Sequence, residues 1–165
     1  MNGFVAGFGD FTTDILETPS KKGYGNFVIY YSPIKKFEND KLFYEDSEKI
    51  VLLDGVIFNK SELLSEYKSD DWKYVFELIY NNDKTGFMNC LRGSFCGVVF
   101  KKAEQDLMAF TNHTGEKTVY YTIKDDVALV ASHNNIITAI LKESGISYKP
   151  NIQACYELLA NGSIL

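Results

Sequence analysis

Hydrophobic positions fall into short runs separated by polar, charged or glycine-containing stretches, a pattern typical of a β-rich domain. Most of these runs are predicted to be strands. The predicted strands are Met1–Phe11, Asn26–Tyr31, Leu42–Tyr44 (a short edge strand), Ile50–Asn59, Ser94–Phe100, Leu107–Phe110, Val119–Ile123 and Val127–Ala131. The polar stretch Thr12–Gly25, which contains Pro19, is predicted to be a loop.

Helical spacing appears in the middle of the chain and again near its end. Trp72, Val75, Phe76 and Ile79 recur at the spacing of one helix face. The predicted helices are Asn59–Tyr67, Asp70–Tyr80, Asn134–Ser144 and Ile152–Ala160, with a short helical turn at Gly86–Leu91. Strands, two helices, strands and helices in this order predict an α+β fold of antiparallel sheets covered by helices.

One predicted strand carries a break. The apolar run Ile50–Asn59 is interrupted by Asp54-Gly55. An Asp-Gly pair between two apolar runs indicates a hairpin or a bulge. We therefore expect the chain to turn or kink at this pair.

Composition limits the classes of function. The 165 residues suffice for one domain with a core, and 45% of them are hydrophobic. The net charge is −5 and the lysines are scattered, so we expect no nucleic-acid partner. The beginning lacks the pattern of a signal peptide and no apolar run has membrane-spanning length, so a cytoplasmic location without membrane contact is expected.

The cysteines predict neither disulfides nor a metal centre. Three cysteines, Cys90, Cys96 and Cys155, form no Cys-x-x-Cys pair or cluster with the two histidines. Each lies in a predicted core or helical segment, so we expect packed thiols rather than nucleophiles. No metal or cofactor is expected.

Several stretches, in order, are similar to motifs of one family. Asp54–Asn59 resembles an NGEIYN strand end, Leu91–Phe100 an LxGxFAF strand, Thr111–Tyr121 an RDRxGxKPLYY loop, Val130–His133 a FASE strand end, and Ala154–Gly162 an exit helix. Asp70 or Asp71 matches an Asp that opens a helix. The chain thus resembles the glutaminase domain of class II glutamine amidotransferases, most closely the one at the front of asparagine-synthetase-like proteins.

The resemblance implies a fold and a context. It implies the N-terminal-nucleophile hydrolase fold, a four-layer αββα sandwich of two antiparallel sheets. In that family the chain's first residue is the nucleophile, which accounts for a core strand at Met1–Phe11. Residues 1–165 are expected to be a glutaminase-like domain at the N-terminal part of a longer asparagine-synthetase-like protein. The expected partner is a synthetase-like domain, in cis or in trans.

The resemblance also shows where this chain departs from the active enzymes. Those enzymes begin Met-Cys-Gly and use the Cys thiolate after removal of Met, whereas Asn2 stands at that position here. The Asn of the family's oxyanion hole is replaced by Asp54, although Gly55 remains. The strand that corresponds to the family's carboxylate-binding Arg, Asn26–Tyr31, has neither Arg nor Lys. These changes predict that the domain is not a glutaminase.

Three functions remain open at this point. The first is a catalytically inactive domain of an amide-forming protein that acts in packing, at an interface or in regulation. The second is a stand-alone module that binds a small molecule or peptide in the relic pocket, with Asp54, Gly55, Asp70 and Asp71 as candidate substrate-binding residues. The three aspartates would favour a cationic ligand, but a turn residue at Asp54 and helix-start charges at Asp70 and Asp71 are the stronger interpretation. The third is an enzyme with an unusual nucleophile, Asp54 or Thr12, neither of which has a base partner at a suitable spacing.

Overall fold

The computed structural model describes residues 1–124, 126–147, 149, 151–153 and 156. The strands in these ranges are β1 (Gly3–Phe8), β2 (Ser20–Tyr24), β3 (Phe27–Ser32), β4 (Leu42–Glu45), β5 (Lys49–Ile57), β6 (Gly93–Lys101), β7 (Asp106–Thr111), β8 (Tyr120–Lys124) and β9 (Val127–Ala131). The α-helices are α1 (Lys60–Glu66), α2 (Trp72–Asn82) and α3 (Asn134–Glu143), and short 3-10 helices lie at Glu38–Asp40 and Phe87–Cys90.

The strands form two antiparallel sheets. The five-stranded sheet has the order β2-β3-β1-β9-β8, and the four-stranded sheet has the order β4-β5-β6-β7. The first strand of the chain is central, because β1 pairs with β3 on one side and with β9 on the other. Antiparallel sheets with separate helices confirm the predicted α+β class.

Three apolar cores separate four layers. Helix α2 packs on the outer face of the four-stranded sheet through Val75, Phe76 and Ile79. Helix α3 packs on the outer face of the five-stranded sheet through Ile136 and Ile140. The third core lies between the two sheets. The molecule is therefore an αββα sandwich, as predicted.

The central strands are apolar on both faces because each face meets a different core. Along β5, Ile50 and Leu52 point into the space between the sheets, while Val51 and Leu53 point toward the helices. Aromatic rings fill the inter-sheet space, where Phe27 and Phe100 stack with ring centroids 3.9 Å apart.

Two predictions about strands are wrong. The stretch predicted as a loop contains β2, an edge strand that pairs with β3 from Ser20 to Tyr24. Its residues are mostly exposed, so it carries no apolar alternation that would reveal it. The second error concerns Asp54-Gly55: β5 continues through this pair in unbroken register with β6, without hairpin or bulge. A Cβ on Gly55 would lie 2.2 Å from the Ser94 carbonyl oxygen, so glycine here permits close strand approach.

The predicted helices at the middle of the chain are present. Asp71 begins α2 by accepting a hydrogen bond from the Tyr74 backbone N–H at 3.1 Å. The predicted helix at 152–160 lies mostly outside the described residues, as does Cys155. No helix in the described ranges has the length and apolar character needed to cross a membrane.

Candidate functional site

A cavity of about 280 Å³ opens at one end of the space between the sheets. It brings together residues that are far apart in sequence. Its walls include Asn2, Gly3, Asp54, Cys96, Lys117, Ser132 and His133. Strand pairing places them there: β1 and β9 run side by side, which puts Gly3 next to Ser132, and Asp54 lies directly opposite Cys96 across β5 and β6.

The Asn2 side chain is tied to the strand beside it. Its Nδ2 donates to the Pro33 carbonyl oxygen at 3.0 Å and to Ser32 Oγ at 3.3 Å. The Ser32 hydroxyl in turn donates to the Glu17 carbonyl oxygen at 2.6 Å. Both amide hydrogens of Asn2 are thus used in contacts that hold the start of β1 in place.

The terminal ammonium of Met1 is bound away from the cavity walls. It donates to the Ile15 carbonyl oxygen at 3.0 Å and to Glu17 Oε1 at 2.8 Å. The hydrogen bond from this ammonium, together with its charge, lowers the pKa of Glu17. The Met1 side chain packs against the core beneath α3.

Asp54 is a buried carboxylate with three polar partners, and we call Asp54, Tyr31, Lys41 and Lys117 the Asp54 cluster. The Asp54 residue is 8% exposed. It accepts a hydrogen bond from the Tyr31 hydroxyl at 2.7 Å and one from Lys117 Nζ at 3.1 Å. Lys41 Nζ lies 3.8 Å away on the Tyr31 side. Burial, and secondly the Asp54 charge, raises the pKa of Tyr31, so its hydroxyl remains a donor. The cluster contains two ammonium groups for one carboxylate.

The thiol in the cavity belongs to Cys96 and is buried. Burial, reinforced by the negative charge of Asp54, raises the pKa of Cys96 to about 12, so the thiol is protonated at neutral pH. Cys96 is packed as predicted. Cys90 is exposed, contrary to the prediction, because the 3-10 helix Phe87–Cys90 buries its Phe87 side chain and leaves its last residue at the surface.

A serine and a histidine at the end of β9 complete this side of the cavity. Ser132 Oγ lies 2.9 Å from His133 Nδ1 and accepts a hydrogen bond from the Phe4 backbone N–H at 3.0 Å. The Ser132 backbone N–H donates to the Phe4 carbonyl oxygen at 3.1 Å. Ser132 therefore extends the pairing of β9 with β1 by one residue through its side chain.

The glutamine amidotransferase domain family model matches residues 34–139, more than half of the chain. The chain belongs to the glutamine amidotransferase domain family. A comparison with curated proteins finds no match. The matched segment includes Asp54, Lys117 and Ser132 of the cavity and begins after β1, so it does not include Asn2.

In this glutamine amidotransferase domain, the structure unites some of the candidate residues and separates others. Asn2 and Asp54 line the same cavity, and Gly55 follows Asp54 in the β5–β6 pairing. Asp70 and Asp71 lie at the start of α2 and do not line this cavity, and the Asp71 carboxylate caps that helix. In the ranges that the structure describes, no group of three or more His, Cys, Asp or Glu side chains is placed to hold a metal ion.

Sequence reasoning missed the two lysines of the Asp54 cluster. One signal pointed to Lys117. A carboxylate at a buried position of a strand requires a countercharge, and Lys117 stands at the lysine of the RDRxGxK motif. Lys41 immediately precedes β4 and carried no such signal.

Proposed function

We propose that this glutamine amidotransferase domain is catalytically inactive and serves as a non-catalytic part of an asparagine-synthetase-like, amide-forming protein. One observation carries the proposal. The cavity holds the Asn2 amide and the Asp54 carboxylate at the positions where, by the resemblance, active enzymes place a thiolate and an amide donor.

Glutamine hydrolysis by this family's route begins with attack by a nucleophile. The nitrogen of a carboxamide is a poor nucleophile because its lone pair is delocalised into the carbonyl group, and the Asn2 amide is engaged with Ser32 and Pro33. The nearby thiol of Cys96 is protonated, since its pKa is about 12. The cavity therefore offers no thiolate at neutral pH from its described residues.

The next requirement is a donor for the developing oxyanion. An ionised carboxylate only accepts hydrogen bonds, so Asp54 supplies none. Of the lysines beside it, Lys117 donates to Asp54 itself and Lys41 donates to the Ile34 carbonyl oxygen. Loss of a single oxyanion donor lowers kcat by about 10²–10³ in other enzymes, and here the nucleophile is replaced as well.

An inactive domain changes the source of nitrogen for the whole protein. The parent would use free ammonia, or an amine carried by its substrate, in an ATP-dependent synthetase-like domain supplied in cis or in trans. The domain described here would then contribute packing, an interface or regulation. The cytoplasmic location stays a prediction.

The test is release of glutamate from glutamine by the purified chain, with the intact mass measured on the same sample. We expect no glutamate above the level of a buffer blank, while an active class II enzyme assayed in parallel releases it. We also expect the mass to include Met1. Glutamate release that Asn2→Ala abolishes would overturn the proposal.

A binding module is the second candidate, and the cavity is the observation that favours it. Its volume of about 280 Å³ suits a small polar molecule. Because Lys117 already pairs with Asp54, that carboxylate is not free for the cation expected from the sequence, and such a ligand would be neutral or zwitterionic. Thermal stabilisation of the chain by glutamine or glutamate, lost in Lys117→Met, would support this candidate; unchanged melting temperatures would count against it.

A further inference from the structure

The two sheets of the sandwich differ in width, and the extra strand is β8. Lys22 of β2 sits over the ring of Phe43 in β4, with Nζ 5.2 Å from the ring centroid. Phe8 of β1 meets Phe100 of β6, with centroids 5.7 Å apart. These contacts place β2 over β4 and β1 over β6. The next strand of each sheet then follows, so that β9 lies over β7, and β8 has no strand opposite it in the four-stranded sheet.

The projecting strand leaves an apolar hollow open. Tyr121 and Ile123 of β8 face this space and are 77% and 79% exposed. The hollow has a volume of about 370 Å³, and Phe8, Leu107, Val119 and Val130 form its walls. We call it the apolar hollow. Large apolar side chains at an open end of a core mark a contact surface.

The strand beside the hollow has a free edge. No strand in the described part of the chain pairs with the outer side of β7. The six residues of β7 include no proline, its register with β6 is unbroken, and its one charged residue is Asp106 at the first position. These are the features of an edge that accepts another strand, because its backbone donors and acceptors remain available.

A second hollow lies along the same edge on the other face of the sheet. It has a volume of about 570 Å³ and is lined by Met88, Leu91 and Phe110 of the helix-side core and by Asn89, Arg92 and His113 among others. No carboxylate is among its lining residues, although Arg92 also pairs with Glu62 nearby. We call this the polar hollow, and the Arg92 guanidinium in its wall favours acidic side chains.

We propose that one extended segment of a partner protein adds to the free edge of β7 as a fifth strand of the four-stranded sheet. Side chains of a strand alternate between faces, so every second residue would enter the apolar hollow and the residues between them the polar hollow. The segment that fits is an alternation of apolar and acidic residues. This inference does not depend on the loss of glutaminase activity.

A second copy of the chain fits this edge poorly. Tyr121, Ile123 and their neighbours supply on the order of a few hundred Å² of apolar surface, whereas a stable dimer buries about 800 Å² on each partner. Pairing of two β7 edges would also bring both projecting β8 strands into the space above the junction. A single added strand needs less apolar area, because main-chain hydrogen bonds provide much of its affinity. It also brings no second β8 into the space above the junction.

The test uses the full chain and a fluorescent peptide of about eight residues that alternates valine and glutamate. We expect saturable binding by fluorescence anisotropy and slower hydrogen exchange of amides in 106–111 when the peptide is bound. Ile123→Lys, at an exposed site that tolerates a charge, should weaken binding at least about tenfold. Tyr74→Lys, at an exposed aromatic on α2, is the matched control and should not change it.

Three results would overturn the inference. The first is no binding of the peptide. The second is equal binding of a peptide with the same composition but with valines and glutamates in separate blocks, which would show attraction without strand addition. The third is a dimer of the unliganded chain that Ile123→Lys dissociates, because a second copy would then be the occupant.

Discussion

Strand β5 carries two buried charges, Lys49 at its first residue and Asp54 in its second half, and they are neutralised in different ways. Lys49 faces the helical layer, where its ammonium lies 3.0 Å from Asp46 and 2.9 Å from Glu77. We call Lys49, Asp46, Glu77 and the Tyr44 that donates to Glu77 the Lys49 cluster. Asp54 faces the space between the sheets and pairs with Lys41 and Lys117. Each cluster has one central charge, two opposite charges and a tyrosine hydroxyl.

The difference lies in where the partners come from. Glu77 belongs to α2, and Asp46 accepts hydrogen bonds from the backbone N–H groups of Glu48 and Lys49. Lys117 comes from the loop before β8, and its side chain is 38% exposed beside the cavity. The Lys49 cluster is therefore fixed by regular structure, whereas one partner of Asp54 can turn into solvent. The part of β5 that lines the cavity is therefore the adaptable end.

The largest expected effect concerns the thiol at the Asp54 end. At about pH 8 a thiol with a pKa of about 12 is ionised more than about a thousandfold less than an ordinary cysteine. We compare Cys90→Ser/Cys155→Ser, which keeps Cys96 alone, with Cys96→Ser/Cys155→Ser, which keeps the exposed Cys90. We expect an aromatic disulfide reagent to react at least about fiftyfold more slowly with Cys96, because this thiol is buried and its lower ionised fraction outweighs the greater nucleophilicity of its thiolate. Equal rates in the two folded variants would contradict the account, and equal rates in urea are the control.

Among the substitutions in β5, removal of the Lys49 charge should lower the free energy of unfolding the most. Lys49→Met leaves Asp46 and Glu77 without their ammonium, and we expect a loss of about 3 kcal/mol in the free energy of unfolding. Urea unfolding followed by circular dichroism measures this loss. Lys84→Met, at an exposed lysine, is the matched control and should change stability by less than about 0.5 kcal/mol. A loss at position 49 no larger than the control would show that the cluster is not stabilising.

Removal of the Asp54 charge should lower the free energy of unfolding by less than removal of the Lys49 charge. Asp54→Asn keeps the shape of the side chain, leaves Lys117 free to turn into water and leaves Lys41 its hydrogen bond to the Ile34 carbonyl oxygen, so we expect a loss of about 1 kcal/mol. A double-mutant cycle with Lys117→Met isolates the ion pair, whose coupling energy should be positive and below about 1 kcal/mol, since Lys117 is partly screened by solvent. A coupling above that of the Lys49–Glu77 pair would reverse the comparison.

The smallest expected effect is on the pH dependence of the free energy of unfolding in acid. Burial acts to raise the pKa of Asp46, but hydrogen bonds from the Glu48 and Lys49 backbone and the Lys49 ammonium outweigh it, so the pKa lies below 3.8. A carboxyl group whose pKa is lower in the folded chain stabilises the fold above its unfolded pKa, and this contribution is lost as pH falls through the folded pKa. Asp46→Asn should therefore show a shallower loss of stability below about pH 4 in urea titrations than the unchanged chain. An unchanged slope would contradict this.

The sequence predicts the fold wherever a strand or helix has a buried face. The strands with an apolar face, β3 and β6 among them, follow from their runs of apolar residues. Strand β2 does not, because pairing with β3 forms it and its own side chains remain mostly exposed. The predicted turn at Asp54-Gly55 is wrong because an Asp-Gly pair favours a turn locally, whereas pairing of both residues with β6 holds β5 straight.

The site is predicted less completely than the fold. Asn2 and Asp54 were identified through the resemblance, and the structure places them in one cavity. The partners of Asp54 were not, because the Lys117 contact joins residues 63 apart in sequence and local periodicity does not encode such a contact. Asp70 and Asp71 are candidates because one of them matches the family's helix-opening Asp, and the structure places them at the start of α2.

The most direct test of the central claim is covalent labelling with the diazoketone analogue of glutamine, read by intact mass and peptide mapping. This reagent detects one attack by a nucleophile in a glutamine site, without any need for turnover. The account predicts no adduct on the unchanged chain under conditions in which an active class II enzyme is labelled completely. A stoichiometric adduct on a cavity residue, protected by glutamine, would contradict it and would identify the nucleophile.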